Sequence, residues 1–262
     1  MNEAMNESRQ MYKTGDTAGL IPRAQTAPTY VYRSGHHRVF ITGDHAGRWD
    51  PEGILGLDAQ EMSRHIGWDI GIAGVCAVLA DLVEAPMILS RYSRLVVDLN
   101  RREDIPACIP EVSDGTVVPG NQGLSPRTRA DRLARCHAPY HEGLAEHLSA
   151  SGSDMILALH SFTPQRRTDS TPRPWHCGMM YGAALELGQA CVEFFRRESG
   201  LIVGDQAPYQ VQDDDYTVPI HGDEAGRPAV ALEIRQDLIA ERAGQEAWAH
   251  RVAALLAFMA SV

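Results

Sequence analysis

The sequence lacks the features that would place the chain in a membrane or on nucleic acid. It has no run approaching the roughly 18 consecutive apolar residues of a membrane span, and residues 1–10 show no apolar core of a secretory signal. The 24 Lys and Arg residues are outnumbered by 34 Asp and Glu, which gives a formal net charge of −10. No Lys/Arg cluster supplies the basic face that phosphate binding requires. We therefore expect a cytoplasmic protein that binds neither membranes nor nucleic acid.

Cysteine is also too scarce and too scattered to organise the fold. The five cysteines are odd in number and none has the CxxC spacing of a metal or redox motif. We expect them to be small buried apolar side chains of a reducing compartment. No internal repeat or coiled-coil pattern is present, and the oligomeric state stays open, a homo-oligomer included.

The segments that are present predict one α/β domain. Residues 1–30 are polar and lack a period, so we expect a flexible N-terminal arm followed by a single domain over residues 31–262. Apolar runs alternate with helical patterns, which favours a three-layer αβα fold with a mostly parallel, mixed sheet. The predicted strands are 38–42, 87–89, 91–101, 155–160, 175–181, 201–204 and 229–235, and the predicted helices are 58–84, 128–149, 183–199 and 239–260.

Polar side chains stand at the ends of four of these strands. They are His45, the pair Asn100 and Arg101, His160, and Glu233. Ligands bind at the carboxyl edge of an open α/β sheet, so we expect these side chains to converge. Two histidines and a carboxylate suit zinc, a further glutamate suits a general base, and an Asn-Arg pair suits a substrate carboxylate. A buried histidine satisfied by hydrogen bonds is the alternative for His160.

Several motifs, in one order along the chain, resemble the N-formylglutamate amidohydrolase family. They are Gly43-Asp44-His45-Ala46-Gly47, His65-Ile66-Gly67-Trp68-Asp69, Asp98-Leu99-Asn100-Arg101, His160-Ser161-Phe162-Thr163-Pro164, Arg173-Pro174-Trp175, Asp215-Tyr216-Thr217 and Glu233-Ile234-Arg235-Gln236-Asp237. The resemblance runs from about His37 to the C-terminus. It implies a fold similar to that of zinc carboxypeptidases and one zinc ion per chain. It also implies the hydrolysis of N-formylglutamate to formate and glutamate, which is a step of amino-acid metabolism in the degradation of histidine.

The third metal ligand is where the sequence departs from the carboxypeptidase pattern. Those enzymes have a glutamate three residues after the first histidine, and Arg48 occupies that position here. Our choice is Asp69, which is predicted to lie one helical turn after His65. The expected ligand set is therefore His45, Asp69 and His160, with Glu233 as the catalytic base. Asp44 and His65 are the alternatives to Asp69.

The expected substrate is a small anionic N-acyl amino acid. Asn100 and Arg101 would bind one carboxylate, and a second carboxylate would need a further cation. The candidates are Arg94, Arg166, Arg173 and Arg235, although an ion pair with Asp98 or Asp237 is an equal alternative for Arg94 and Arg235. Tyr216 and His221 are candidates for closing over the substrate, with simple packing as the alternative.

Two further interpretations of function stay open. The same metal chemistry on another N-formyl or N-acyl amino acid, or on a small amide of a specialised pathway, fits the motifs equally well. A catalytically inactive ligand-binding protein is disfavoured, because such a protein need not retain every polar strand end.

Overall fold

A computed structural model describes residues 28–262 of the chain. The predicted flexible arm therefore lies almost wholly outside the described residues, and it stays a prediction. At the start of the described part Thr29 is buried, and Tyr30 begins the first strand of the sheet. This strand was not predicted from the sequence.

Seven strands form one mixed sheet. The strands of the protein are β1 (Tyr30–Arg33), β2 (Val39–Gly43), β3 (Met87–Ser90), β4 (Val112–Ser113), β5 (Thr116–Val117), β6 (Met155–Phe162), β7 (Cys177–Tyr181), β8 (Val203–Asp205) and β9 (Ala229–Arg235). The order in the sheet is β1-β3-β2-β6-β9-β7-β8, while β4 and β5 form a separate hairpin. Strands β3, β2, β6 and β9 run parallel, β1 is antiparallel to β3, and β7 is antiparallel to β9. The predicted mostly parallel, mixed sheet is confirmed.

Helices cover both faces of this sheet. They are α1 (Ala59–Met62), α2 (Ile72–Leu82), α3 (Pro126–Arg132), α4 (Ala138–Ser151), α5 (Leu185–Arg196) and α6 (Arg242–Met259). A π-helical segment, Leu133–His137, joins α3 to α4, and a second one spans Thr217–Asp223. None of the helices in residues 28–262 is long and apolar enough to cross a membrane. The predicted cytoplasmic location stays a prediction.

Two apolar cores occupy the two sides of the sheet, because successive residues of a strand point to opposite faces. Ile41 and Leu157 belong to the core beneath α2, α5 and α6, and Phe40 and Ile156 belong to the core beneath α4. The three-layer αβα architecture is confirmed. All five cysteines are buried and free, also as predicted.

The segment 91–101 is not a strand, which corrects the prediction made from its β-branched run. Strand β3 is already flanked by β1 and β2, so no open sheet edge is available beside it. The segment instead forms buried turns, in which the Arg94 N–H donates to the Gly67 carbonyl at 3.2 Å and the Asp98 N–H to the Cys108 carbonyl at 2.7 Å. Asn100 therefore reaches the carboxyl edge of the sheet from a turn.

The predicted helix 58–84 is broken into α1 and α2 by turns. Gly71 ends the break with a φ of +88°, and a Cβ at that position would lie 2.3 Å from the Ile239 carbonyl oxygen. His65 and Asp69 consequently do not share a helical face, which corrects the spacing argument. The Asp69 N–H instead donates to the His45 carbonyl at 2.8 Å, which fixes Asp69 beside the end of β2.

This break makes a prediction about stability. A left-handed non-glycine residue costs about 1–2 kcal/mol, and the overlap with Ile239 adds to that cost, so Gly71→Ala should lower the free energy of unfolding by about 2–4 kcal/mol. Gly152→Ala is the matched control, because Gly152 has a φ of +72° and a Cβ there would meet no described atom within 4 Å. Equal losses for the two variants in urea denaturation would contradict the close approach at Gly71.

Candidate active site

One open cavity of about 820 Å³ lies at the carboxyl edge of the parallel strands, and its walls include His45, Asp69, His160 and Glu233. His160 and Glu233 are register partners on the adjacent strands β6 and β9. His45 follows β2, the other neighbour of β6. The convergence predicted from the polar strand ends is therefore present.

His45, Asp69 and His160 form a buried cluster with the geometry of a metal site. Each offers a ligand atom, and these atoms all lie within 4.8 Å of one another. The Asp69 Oδ2 atom is 2.9 Å from His160 Nδ1 and 3.7 Å from His45 Nδ1. Of the three carboxylate or histidine alternatives, Asp69 is the one that completes the cluster. His65 lines the same cavity, but its Nε2 atom lies 3.4 Å from Asp114 Oδ2 rather than in the cluster.

Two further aspartates support the histidines from behind. His45 Nε2 lies 2.6 Å from Asp98 Oδ1, and His160 Nε2 lies 3.4 Å from Asp44 Oδ2. Each imidazole thus turns Nδ1 toward Asp69 and Nε2 toward a second carboxylate, which is the arrangement that orients metal-binding histidines. This role of Asp98 was not predicted from the sequence, although its place two residues before Asn100 in the Asp-Leu-Asn-Arg motif was a usable signal.

The cluster fits a divalent cation such as zinc. His45 Nδ1 is buried and has no hydrogen-bond partner anywhere in residues 28–262. Buried polar atoms are rarely left without a partner unless a ligand or ion satisfies them. Two imidazole nitrogens and one carboxylate are the donor set of catalytic zinc sites, which keep one position open.

The local charges favour a positive species at His160. Burial lowers the pKa of His160, but hydrogen bonds with Asp44 and Asp69 outweigh it and hold the pKa well above its ordinary value. Burial by itself raises the pKa of the Asp44 carboxyl group, but the hydrogen bonds with His160 and Tyr140 bring this pKa below its ordinary value. The Tyr140 hydroxyl donates to Asp44 Oδ1 at 2.7 Å. These carboxylates attract either a proton or a metal ion to the cluster.

Glu233 has the properties of a proton carrier. It is buried, and this burial raises the pKa of its carboxyl group to about 7, against the opposing effects of His160 and Arg94. Its Oε2 atom has no hydrogen-bond partner among the described residues. A carboxyl group with a pKa near neutrality can both accept and release a proton at physiological pH.

Arg94 faces the cavity as part of an ion pair. Its Nη2 and Nε atoms donate to Asp98 Oδ2 at 2.7 and 3.1 Å, and its Nη1 atom lies 3.4 Å from Asp69 Oδ1. Arg235 is not among the residues that line the cavity, and its assignment to substrate binding stays a prediction. It is held by Asp237 at 2.8 Å and by the Trp175 carbonyl at 3.3 Å, the alternative weighed from the sequence.

Asn100 and Arg101 line the cavity and also hold the loop before β9. Asn100 Oδ1 accepts hydrogen bonds from the N–H groups of Tyr216 and Thr217, at 3.1 and 3.0 Å. Arg101 forms an ion pair with Asp215. A substrate carboxylate at Arg101 therefore has to share the guanidinium with Asp215.

Tyr216 and His221 are not among the residues that line the cavity, and their closing over the substrate stays a prediction. The Tyr216 ring packs 4.0 Å from the His141 ring, and His221 Nε2 lies 3.0 Å from His141 Nδ1. Arg173 is not among the lining residues either, but its Nη1 atom donates at 2.8 Å to the hydroxyl of Tyr209, a residue that does line the cavity.

Comparison with known proteins places the chain among the hydrolases that act on amide bonds. It belongs to the N-formylglutamate amidohydrolase family, whose family model matches residues 37–240. The sequence has no significant match among curated proteins.

Two solved structures share the fold over nearly the whole chain. The gene product Atu2144 from Agrobacterium tumefaciens superposes with a TM-score of 0.85 at 28% identity, covering 92% of this chain and 98% of that one. An N-formylglutamate amidohydrolase from Ralstonia eutropha superposes with a TM-score of 0.70 at 19% identity, covering 90% of this chain and 98% of that one. Both similarities agree with the αβα architecture.

Proposed function

We propose that the protein hydrolyses the formamide bond of N-formyl-L-glutamate, or of a close analogue, in a zinc-dependent reaction that gives formate and the amino acid. The observation that supports this most is the buried cluster of His45, Asp69 and His160 with Glu233 beside it, in a chain of this family. Three ligands and an adjacent proton carrier are what metal-assisted amide hydrolysis requires.

In this proposal His45, Asp69 and His160 hold one zinc ion per chain, while Asp98 and Asp44 orient the two histidines. Bound zinc supplies a Lewis acid and lowers the pKa of water toward about 7. The protein's own contribution is to keep both Nδ1 atoms aimed at one point in a buried, acidic setting.

Glu233 performs the proton transfers of the reaction. Its carboxylate takes a proton from water as the oxygen attacks the formyl carbon, and then delivers that proton to the amine nitrogen as the C–N bond breaks. Arg94 lines the cavity next to Asp69 and supplies N–H donors for the oxyanion that forms on the formyl oxygen. Asn100 and Arg101 hold a carboxylate of the substrate, so that the formyl carbon faces Glu233.

A larger N-acyl amino acid is the second candidate substrate. The cavity of about 820 Å³ falls in the upper part of the range of ~300–1,000 Å³ that accommodates drug-sized ligands. Initial rates on a panel of N-formyl and N-acetyl amino acids, compared as kcat/KM, separate this candidate from N-formyl-L-glutamate.

The ligand set makes a prediction about zinc affinity. Asp69→Asn should weaken zinc binding by more than roughly 100-fold, because it replaces a charged ligand that also positions His160. His65→Gln is the control, since His65 lines the cavity without joining the cluster, and its zinc affinity should match the wild type in a chelator competition assay. A loss of affinity confined to His65→Gln would instead make His65 the third ligand.

The proton-carrier role makes a separate prediction. Glu233→Gln keeps the shape of the side chain but cannot accept a proton, so formate release should fall by about two to four orders of magnitude. Its zinc content should stay at about one ion per chain, because Glu233 is not among the three proposed ligands. Formate release at near the wild-type rate would remove Glu233 from the mechanism.

A further inference from the structure

The three arginines that line the cavity differ in their partners. Arg94 is neutralised by Asp98, and Arg101 is neutralised by Asp215. Arg166 forms no ion pair with any residue of the described chain, and its Nη2 atom donates to the neutral hydroxyl of Tyr209 at 3.2 Å. The carboxylate of Asp169 interacts with Arg166 by charge but forms no ion pair with it. The wall of the cavity that carries Arg166 therefore presents a positive charge that no direct carboxylate contact within the described residues neutralises.

A second arginine, Arg173, contacts the same tyrosine hydroxyl. Arg166 Nη2 and Arg173 Nη1 both donate to the Tyr209 hydroxyl, at 3.2 and 2.8 Å, and both guanidinium groups lie over its ring, at 5.4 and 4.9 Å from the centroid. Arg173 also has no ion pair within residues 28–262, and its other side-chain contact is the Thr163 carbonyl at 3.4 Å. We call Arg166, Tyr209 and Arg173 the Arg-Tyr-Arg wall.

This wall has the composition of an anion site. Two guanidinium groups that meet on one phenol repel each other unless an anion reduces the repulsion. A hydroxyl that accepts both hydrogen bonds still has its own O–H to donate, so Tyr209 adds a third donor. A carboxylate is the anion that guanidinium N–H groups match best in geometry.

The loop that carries Arg166 is exposed, and hydrogen bonds to Asp114 anchor it. Asp114, in the turn of the β4–β5 hairpin, accepts hydrogen bonds from the N–H groups of Arg167 and Thr168, at 3.0 and 3.1 Å. The Thr168 hydroxyl donates to Asp114 as well, at 2.9 Å. Arg166 is thereby held between this anchor and Tyr209, which lowers the entropy lost when a ligand binds.

We propose that the Arg-Tyr-Arg wall binds the side-chain carboxylate of the substrate and so selects N-formyl amino acids with an acidic side chain. The inference rests on the proposed function, because it requires the formamide to sit at Glu233 and the α-carboxylate to sit at Arg101. A neutral side chain would leave the paired guanidinium groups without an anion, and such unpaired polar groups are a strong source of discrimination.

The test compares N-formyl-L-glutamate with N-formyl-L-glutamine, which has the same shape and no side-chain charge. Zinc-loaded wild type should prefer the glutamate substrate by roughly tenfold or more in kcat/KM, as expected for hydrogen bonds to a charged group. Arg166→Gln should remove most of this preference by slowing only the glutamate substrate. Tyr209→Phe should reduce it less, because both arginines remain.

Arg167→Gln is the matched control. Arg167 neighbours Arg166 in the same loop, but it is ion-paired with Glu61 at 2.9 Å. Its variant should keep the wild-type preference and the wild-type Tm. If Arg166→Gln keeps the preference, or slows both substrates equally, the inference is wrong.

Binding measurements separate this inference from the proposed function. Equal wild-type rates on the two formyl substrates would overturn the inference and leave the proposed function standing. If neither substrate is hydrolysed, the proposed function fails, and calorimetry with L-glutamate and L-glutamine decides the inference. A lower affinity for L-glutamate in Arg166→Gln but not in Arg167→Gln supports the wall, and equal wild-type affinities for the two amino acids overturn it.

Discussion

The site depends on the buried carboxylate of Asp69. Its Oδ2 atom accepts a hydrogen bond from the Ser161 N–H at 3.1 Å and lies 2.9 Å from His160 Nδ1, while its backbone N–H donates to the His45 carbonyl at 2.8 Å. Arg94 contacts the other oxygen. A buried charge is costly unless several partners compensate it. Asp69 meets that requirement because, from the turn before α2, it contacts the loop after β2, the segment that carries Arg94, and strand β6.

The cavity is divided by charge, and this division gives the substrate a direction. Its inner end carries Asp69 and the carboxylates behind the two histidines, which together attract a cation. The wall that carries Arg166 has positive charge that no ion pair with a described residue neutralises. A substrate with a polarisable amide at one end and a carboxylate at the other complements both, and it would bind in one orientation.

The buried strands were the most predictable part of the fold. The apolar runs of β6 and β9 are long, continuous and bounded by polar residues, so the positions of His160 and Glu233 followed from them directly. The prediction of a strand over 91–101 was wrong because β-branched residues favour any buried extended chain. Only the sheet order shows that the position beside β3 is occupied by β1. The break before α2 was not predicted, because a single glycine such as Gly71 is compatible with a helical pattern. The close approach of Gly71 to Ile239 is a tertiary contact that the local sequence does not indicate.

The site was predictable to the extent that its residues lie near strand ends. Asp69 was chosen from a motif, yet the helical spacing offered for it was wrong, because a turn brings it to His45. The contact of Asp98 with His45 and that of Arg166 with Tyr209 join segments 43 or more residues apart. The motif around Asp98 could have indicated a role in the site, but no local pattern in one sequence identifies the partner of either residue.

Titration of metal-free protein with zinc, while formate release from N-formyl-L-glutamate is followed, tests the central claim most directly. The proposed site predicts that activity starts near zero, rises in proportion to added zinc and stops rising at one equivalent per chain. Full activity before zinc is added, or no formate at any zinc level, would contradict it.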